Sequence, residues 1–468
     1  MSVRASAGFM DSLGALCAAT GARLMGDDGP FAGLSTDTRT LKPGDLFVAL
    51  SGPNFDGHDF VRRAACLGAA GALVGRQISC ALPQAVVGDP LAGLQRYAAH
   101  WRGRLNGPLI GVTGSNGKTT VKEMLRAIFA ARGEVLATRG NLNNHIGVPL
   151  TLLGLRATHR SAVVEMGANH AGEIARLAAI ARPTAGVVTM AGPAHLEGFG
   201  SVEGVAHAKG ELFAALPADG VAAINADDAF AALWEDLAGH CRRVRFALDA
   251  RAEIGAEAVE AGALGTRFRL RTPGGPAEVE LAFSGRHNLV NALAAAAVAW
   301  GCGLSPAQIA RGLGQAQPVG GRLRRVPGVF GSQVVDDTYN ANPSSVRAAL
   351  EWLVGQPGQS WAVLGDMAEL GAEASRLHAD CGRWARDLGV ARLFTVGPLS
   401  RATAQAYGAG ACHADTLEEL VAALHGALAH GGQPTILVKG SRSAGMERVV
   451  SALAAAEDAG TPAPDGES

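Results

Sequence analysis

Aromatic residues are scarce in this chain of 468: six tryptophans, three tyrosines and 14 phenylalanines. Excess charge is missing too, with a formal net of -1. No broad basic surface for nucleic acid or an anionic membrane is therefore expected. Cysteine is sparse and scattered. Cys17, Cys66, Cys80, Cys241, Cys302, Cys381 and Cys412 are odd in number and never form a Cys-x-x-Cys pair. That pattern argues against a disulfide framework and a zinc site, and for buried free thiols in a reducing cytosol. No run approaches the about 18 apolar residues of a membrane span. The opening Met1-Ser-Val-Arg-Ala-Ser-Ala lacks an apolar signal core, so a cytoplasmic chain with no membrane insertion is expected.

What is abundant is glycine, 63 residues, within a composition that is 48% apolar. That suits an α/β protein with many strand–helix turns rather than a coiled coil or a disordered chain. The length exceeds one ordinary core, and two to four domains are expected.

The stretch Leu109 to Thr120, Leu-Ile-Gly-Val-Thr-Gly-Ser-Asn-Gly-Lys-Thr-Thr, organises the rest. Leu109, Ile110 and Val112 form a short apolar run typical of a buried parallel strand. Val121, Met124, Leu125, Ile128 and Phe129 then follow at helical spacing, with Gly133 placed as a C-cap. Strand, glycine turn and helix N-terminus together make a phosphate cradle of backbone N–H groups. Lys118 adds a point charge, and Thr119 a hydroxyl suited to Mg²⁺. The strict pattern wants glycine where Val112 stands, so this is a shorter form of the loop.

Before this loop, Leu46 to Leu50 and Gly71 to Val74 read as strands around an amphipathic helix over 58–70. Ser35-Thr36-Asp37-Thr38-Arg39 stands ahead of them. Its hydroxyls and arginine suit a nucleotide-like ligand, although ordinary turn chemistry explains them more simply. Ala85 to Val87 reads as a strand and 90–102 as a helix. Beyond the phosphate loop, 138–149 reads as a polar loop, and its asparagines, Asn143 and Asn144 among them, suit ligand contacts.

Further strands end in chemistry. Ser161 to Gly167 delivers Glu165 where a Mg²⁺ ligand beside Thr119 is needed, since ligands gather beyond the carboxyl ends of such strands. Ala185 to Thr189 leads to His195, and a helix-like stretch then carries Lys209. Asn288 and Asn291, one turn apart, open an Ala-rich helix and could read an adenine edge. Near Val319 a Gly-Gly-Arg322 linker begins a third region. Val334 to Pro343 reads as a strand, a polar turn and a helix start with Ser344 and Ser345 available to cap. Strands at 361–365, 393–397 and 435–439 follow, and their alternation with helices implies a second doubly wound sheet.

Thr-Gly-Ser-Asn-Gly-Lys-Thr-Thr, Glu-Met-Gly-Ala-Asn-His, the His195 loop with Lys209, and Gly-x-His-Asn-x-x-Asn together resemble the Mur ligase family, across nearly the whole chain. Four stretches resemble the branch that adds a D-alanyl-D-alanine dipeptide: Gly-Asn-Leu-Asn-Asn-His-Ile-Gly-Val-Pro-Leu, Ala-His-Leu-Glu-Gly-Phe-Gly-Ser, Asp-Asp-Thr-Tyr-Asn-Ala-Asn-Pro and Gly-Asp-Met-Ala-Glu-Leu-Gly. The Asp-Asn-Pro-Arg motif of the sister branch is absent.

The resemblance implies three α/β domains: a small N-terminal substrate domain over 1–85, a central P-loop ATPase-like parallel sheet over 86–318, and a C-terminal Rossmann-like domain over 319–458. The tail 459–468 is expected to be disordered. It implies ATP, two Mg²⁺, and UDP-N-acetylmuramoyl-tripeptide and D-alanyl-D-alanine as substrates of a monomeric ligase. Gly114, Ser115, Asn116, Gly117, Lys118, Thr119 and Thr120 would hold the phosphates, and Asn288, Asn291, Arg322 and Asp337 the rest of ATP. Thr119, Glu165 and His195 would hold metal. Lys209 matches a lysine commonly carbamylated in the family. Lys118, Lys209 and His195 would serve the chemistry. Ser35, Thr36, Asp37 and Arg39, with Asn143 and Asn144, would bind the UDP-muramoyl end, and Asn340, Asn342 and Arg442 the dipeptide.

Overall fold

Three six-stranded sheets follow one another along the chain in the computed structural model, which describes residues 2–4, 9–262 and 265–455. The expected disordered tail, 459–468, lies outside those residues. In the first sheet the spatial order is Ser2–Arg4, Gly33–Ser35, Asp45–Val48, Gly71–Val74, Gln84–Val86 and Arg23–Met25. The inner four strands are parallel and the two edges antiparallel.

The central sheet is parallel throughout, in the order Glu134–Ala137, His159–Glu165, Leu109–Thr113, Ala185–Val188, Val221–Asn225 and Arg242–Phe246. Every residue of Leu109–Thr113 is buried, as a strand covered on both faces requires. The chain passes to one side of this strand and later to the other. Its carboxyl end therefore lies at a topological switch point, where a crevice opens. The third sheet, Arg324–Pro327, Gln333–Asp337, Thr435–Lys439, Ser360–Gly365, Arg392–Val396 and Ala411–Ala414, is parallel except at its first strand.

The helix Pro90–Arg102 joins the first two sheets. Asp89 caps it and Pro90 opens it. Tyr97 and Trp101 lie in one apolar cluster with Leu16 and Leu46 of the first domain and Leu152 and Leu177 of the second. Each such buried side chain contributes roughly 2 kcal/mol. Tyr97 also donates its hydroxyl to Asp11 (3.0 Å), and the Trp101 indole donates to the Leu155 carbonyl (3.2 Å). The Ala-rich helix Arg286–Gly301 is buried on nearly all sides. Its small side chains let it lie against the phosphate-loop helix, Lys118–Phe129, and against Val221–Asn225.

Several local expectations change. The helix expected over 58–70 is shorter: a 3₁₀ turn, Gly57–Phe60, and a helix, Val61–Cys66, because Gly68 (φ 81°) ends it. The phosphate-loop helix stops at Phe129, and Gly133 follows a 3₁₀ turn, Ala130–Arg132, rather than capping the helix itself. The polar loop after 138 gives way to the helix Gly147–Leu152, entered through Asn144, whose Oδ1 accepts from the amides of Ile146 and Gly147. Asn342, not Ser344, caps Pro343–Val354, with Ser345 completing the capping box. The thiols are free, but Cys66 is exposed and only Cys17 and Cys381 are buried. An unexpected antiparallel sheet, Gly255–Ala261, Thr266–Arg271 and Ala277–Leu281, turns Phe268, Leu270, Val279 and Leu281 into the central core. Its strict alternation in Thr-Arg-Phe-Arg-Leu-Arg was a readable strand signal.

Candidate active site

At the switch point the chain leaves Leu109–Thr113, turns, and enters the helix at Lys118. Gly114 (φ 141°) and Gly117 (φ 81°) adopt backbone conformations that favour glycine. A Cβ on Gly114 would overlap the Thr189 hydroxyl, and one on Gly117 the Asn291 amide oxygen. The turn is stitched to the next strand end. Ser115 N–H donates to the Met190 carbonyl (3.0 Å), and Ser115 Oγ donates to the Gly192 carbonyl (3.1 Å) and accepts from its amide (3.0 Å).

Lys118 bends back over this loop, its Nζ donating to the Gly114 carbonyl at 2.6 Å. Burial holds its ammonium below the usual lysine range; Glu165 opposes that shift and Arg322 adds to it. A phosphate against the loop would offset the buried charge. Thr119 donates its hydroxyl to Glu165 Oε2 (2.8 Å), and Asn143 Nδ2 donates to Oε1 (2.9 Å), so a buried carboxylate stands fixed beside the helix start.

Lys209, on the helix Val202–Ala214, is 2% exposed. Its Nζ donates to the Ala168 carbonyl (3.2 Å) and lies 5.1 Å from the centre of the Phe199 ring. Burial first, and the charge of Lys118 second, lower its ammonium to about 7, against the pull of Glu173 and Glu211. His195 stands in left-handed backbone (φ 54°) at the start of Leu196–Phe199. Burial, with Lys118 and Lys209 nearby, keeps its ring below the usual histidine range, although Glu369 pulls the other way. Nδ1 and Glu369 Oε2 lie 2.5 Å apart, a contact that is an ion pair only while the ring is protonated.

The third domain closes the far wall. Arg322 Nη2 donates to Thr119 Oγ1 (2.9 Å), and its guanidinium lies 4.3 Å from the Tyr339 ring centre. Asp337 accepts from Lys439 Nζ (2.7 Å) and from the Leu323 amide (3.3 Å). Asn342 and Asn116 exchange amide hydrogen bonds. Between these walls lies a cavity of about 1040 Å³.

The cavity brings together most of the residues singled out in the sequence. Ser115, Asn116, Gly117, Lys118, Thr120, Asn143, Asn144, Glu165, His195, Asn288, Asn291, Arg322, Asp337, Asn340 and Asn342 line it. Gly114, Thr119 and Lys209 stand directly behind that lining. Asn288 and Asn291 do share one helix face, with Asn291 Nδ2 donating to Asn288 Oδ1 at 3.3 Å.

Other residues fall elsewhere. Arg442 does not reach the cavity; it is largely exposed and pairs with Glu447 (3.1 Å). Ser35, Thr36, Asp37 and Arg39 also lie outside it. There Ser35 donates to the Asp37 carbonyl (2.9 Å), and Arg39 pairs with Asp37, holding that carboxyl down at about 2. Glu369, Tyr339 and Lys439 were not foreseen as site residues. Glu369 lies shortly beyond the strand Ser360–Gly365, and a carboxylate after a strand was the signal that marked it.

Three family models match stretches of the chain. The Mur ligase middle domain matches residues 112–299, and the Mur ligase glutamate ligase domain matches 321–442. The Mur ligase family catalytic domain matches 30–90. A UDP-N-acetylmuramoyl-tripeptide--D-alanyl-D-alanine ligase of Escherichia coli (strain K12) is 44% identical over 431 residues, spanning 92% of this chain and 95% of that one. The chain belongs to the Mur ligase family. Among solved Mur ligase structures, MurF from Acinetobacter baumannii superposes with a TM-score of 0.90 at 35% identity, covering 94% of this chain and 98% of that one. MurF ligase from Thermotoga maritima, in complex with ADP, gives 0.79 at 26% identity, covering 90% and 96%. The family expected from the motifs is thus the family found.

Proposed function

We propose that this Mur ligase joins D-alanyl-D-alanine to UDP-N-acetylmuramoyl-tripeptide with the conversion of ATP to ADP and phosphate, in cytoplasmic peptidoglycan precursor synthesis. The observation that carries the reading is one cavity in which the phosphate loop, Glu165, His195 and third-domain groups meet. The near full-length match to a ligase named for that reaction supports the substrates.

An amide does not form from a carboxylate and an amine without activation. Phosphoryl transfer from ATP to the terminal carboxylate of the tripeptide gives an acyl phosphate. The dipeptide amine then attacks the acyl carbon, a tetrahedral intermediate forms, and phosphate leaves. The first step brings two anions together, so cations and N–H dipoles must carry it. Lys118 and the amides of Gly114 to Thr120 would hold the transferred phosphates. Asn288 and Asn291 would face adenine, and Arg322 and Asp337 would close over the nucleotide from the third domain.

The donor set suits Mg²⁺ at the first site. Thr119 hydroxyl and Glu165 carboxylate are hard oxygen ligands already 2.8 Å apart. Among the described residues no three His, Cys, Asp or Glu side chains form a cage. Phosphate and water would then complete the shell, as Mg²⁺ prefers. His195 would serve a second cation, its lowered basicity leaving a ring nitrogen free. Bound there, divalent cations supply neutralisation of phosphate charge.

Lys209 is suited to carbamylation, because only a neutral amine adds carbon dioxide and its ammonium is lowered to about 7. The modified side chain would become an anion able to serve the metal site. Asn143 and Asn144 would bind the muramoyl end, and the domain over 1–85, with the exposed Arg39, the uridine end. Asn340 would contact the dipeptide. Residues 86–318 and 319–458 would be the ATP-binding and dipeptide-side domains. No helix among the described residues is long and apolar enough to cross a membrane. The test is ADP release with UDP-N-acetylmuramoyl-tripeptide, with and without D-alanyl-D-alanine. Release that requires both is expected; release indifferent to them would overturn the proposal.

A further inference from the structure

Asn116 sits inside the phosphate loop, where a polar side chain would ordinarily face the nucleotide. Its carboxamide turns to the third domain instead. Asn342 Nδ2 donates to Asn116 Oδ1 at 2.8 Å. Asn116 Nδ2 donates to Ser344 Oγ at 2.9 Å and to Asn342 Oδ1 at 3.3 Å. Each amide both gives and takes, a reciprocity that needs a donor and an acceptor on both side chains.

Asn342 has little freedom to do otherwise. It is buried, and its Oδ1 accepts from the Ser345 amide (2.9 Å) as N-cap of the helix Pro343–Val354. The cap fixes the side chain, and so aims its NH₂ group at the loop. Asn116 is held from the other side as well, because its carbonyl accepts from the Thr189 hydroxyl. A helix start on one domain is thereby fastened to the phosphate loop on another, 226 residues away in sequence.

We propose that Asn116 and Asn342 are positioning residues whose paired amides latch the third domain onto the phosphate loop. Neither side chain then serves ATP or the dipeptide directly. On the ligase reading, the acyl phosphate forms against the central domain while the amine arrives from the third-domain side. The latch sets the distance between them, and alignment of that kind governs the rate of a bimolecular step.

Two variants separate the latch from the fold. Asn342→Ser keeps a good N-cap but is too short to reach Asn116. Asn116→Ala removes the other half and leaves the loop backbone unchanged. Small-angle scattering of the protein saturated with an unreactive ATP analogue should show each variant more open than the parent, with an unchanged melting temperature. Ligation kcat should fall roughly tenfold, as loss of two or three side-chain hydrogen bonds implies. Affinity for an unreactive ATP analogue should stay within about twofold, since the loop amides remain. The double variant should be no worse than Asn116→Ala alone, because that change already removes the bonds to both Asn342 and Ser344. Parent-like scattering and turnover in Asn342→Ser, or fully additive losses in the double variant, would overturn the latch. If the protein failed to ligate these substrates at all, the scattering comparison would still decide the latch by itself.

Discussion

Lys118 opens a helix and Lys209 sits midway along one, and the fold prepares them for different chemistry. Lys118 leans over the phosphate loop, bonded only to its carbonyl oxygens. Lys118→Ala should lower ADP formation by about 10²–10³-fold, the scale for removing one well-placed transition-state charge. Steady-state turnover measures it, and near-normal turnover would show that the ATP site is misplaced.

Lys209 has no carboxylate partner at hydrogen-bond distance and is lowered to about 7. Below that pH the amine is protonated and cannot add carbon dioxide; above it the neutral amine predominates. Enzyme stripped of carbon dioxide should therefore recover activity faster at pH 8 than at pH 6 when the concentration of dissolved carbon dioxide is held equal. Lys209→Ala should lose activity at either pH and keep its fold by circular dichroism. Recovery that ignores pH, or an active Lys209→Ala, would refute the carbamate. Lys118 was legible because its meaning is local, carried by a few neighbours in sequence. The lowered basicity of Lys209 was not legible, because its causes are burial and a charge brought in from Lys118 by folding.

Among elements, the phosphate loop was the most readable, since strand, glycine turn and helix each leave a short-range pattern. The form with Val112 in place of glycine is understandable in the structure. Val112 is an interior residue of the strand and fully buried, so the turn proper begins only at Gly114. Gly117→Ala tests the geometry. A side chain in left-handed backbone costs about 1–2 kcal/mol, and here its Cβ would also press on Asn291. The variant should melt several degrees lower and bind ATP analogues more weakly. An unchanged affinity would mean that the loop tolerates a different turn.

The antiparallel ribbon over 255–281 illustrates the opposite case. Its alternation of arginine with apolar residues was readable, but nothing in it carried chemistry. Its partners in the core, Ile128 and Leu293 among them, belong to helices remote in sequence. The shortened helix at Val61–Cys66 was misread for a simpler reason. Apolar spacing persists through Leu67, while the backbone has already turned at Gly68.

For the whole molecule, the question is what holds the third domain against the central one. Side-chain contacts that cross the cavity include Asn116 with Asn342 and with Ser344, Arg322 with Thr119, and His195 with Glu369. Leu196 adds apolar contact at the same seam, packing on the third-domain core. None of these pairings could be read from the chain, because each joins a motif to a partner chosen only by the relative placement of two sheets.

The contacts should respond differently to salt. The His195–Glu369 pair is partly exposed, 27% and 52% at its two side chains. Screening by water limits such a pair to about 0.5–1 kcal/mol, and burial keeps the ring neutral near pH 7, so only at an acidic pH that protonates His195 should Glu369→Ala reduce the closed population, by about two- to fivefold. The amide latch carries no net charge and should hardly notice ionic strength. Scattering profiles of the parent at that acidic pH should therefore show modest opening between low and high salt, and those of Glu369→Ala almost none beyond its initial shift. If salt opened Glu369→Ala as much as the parent, the ionic contribution would lie in some pair other than this one, and His195 would be held by the central domain alone.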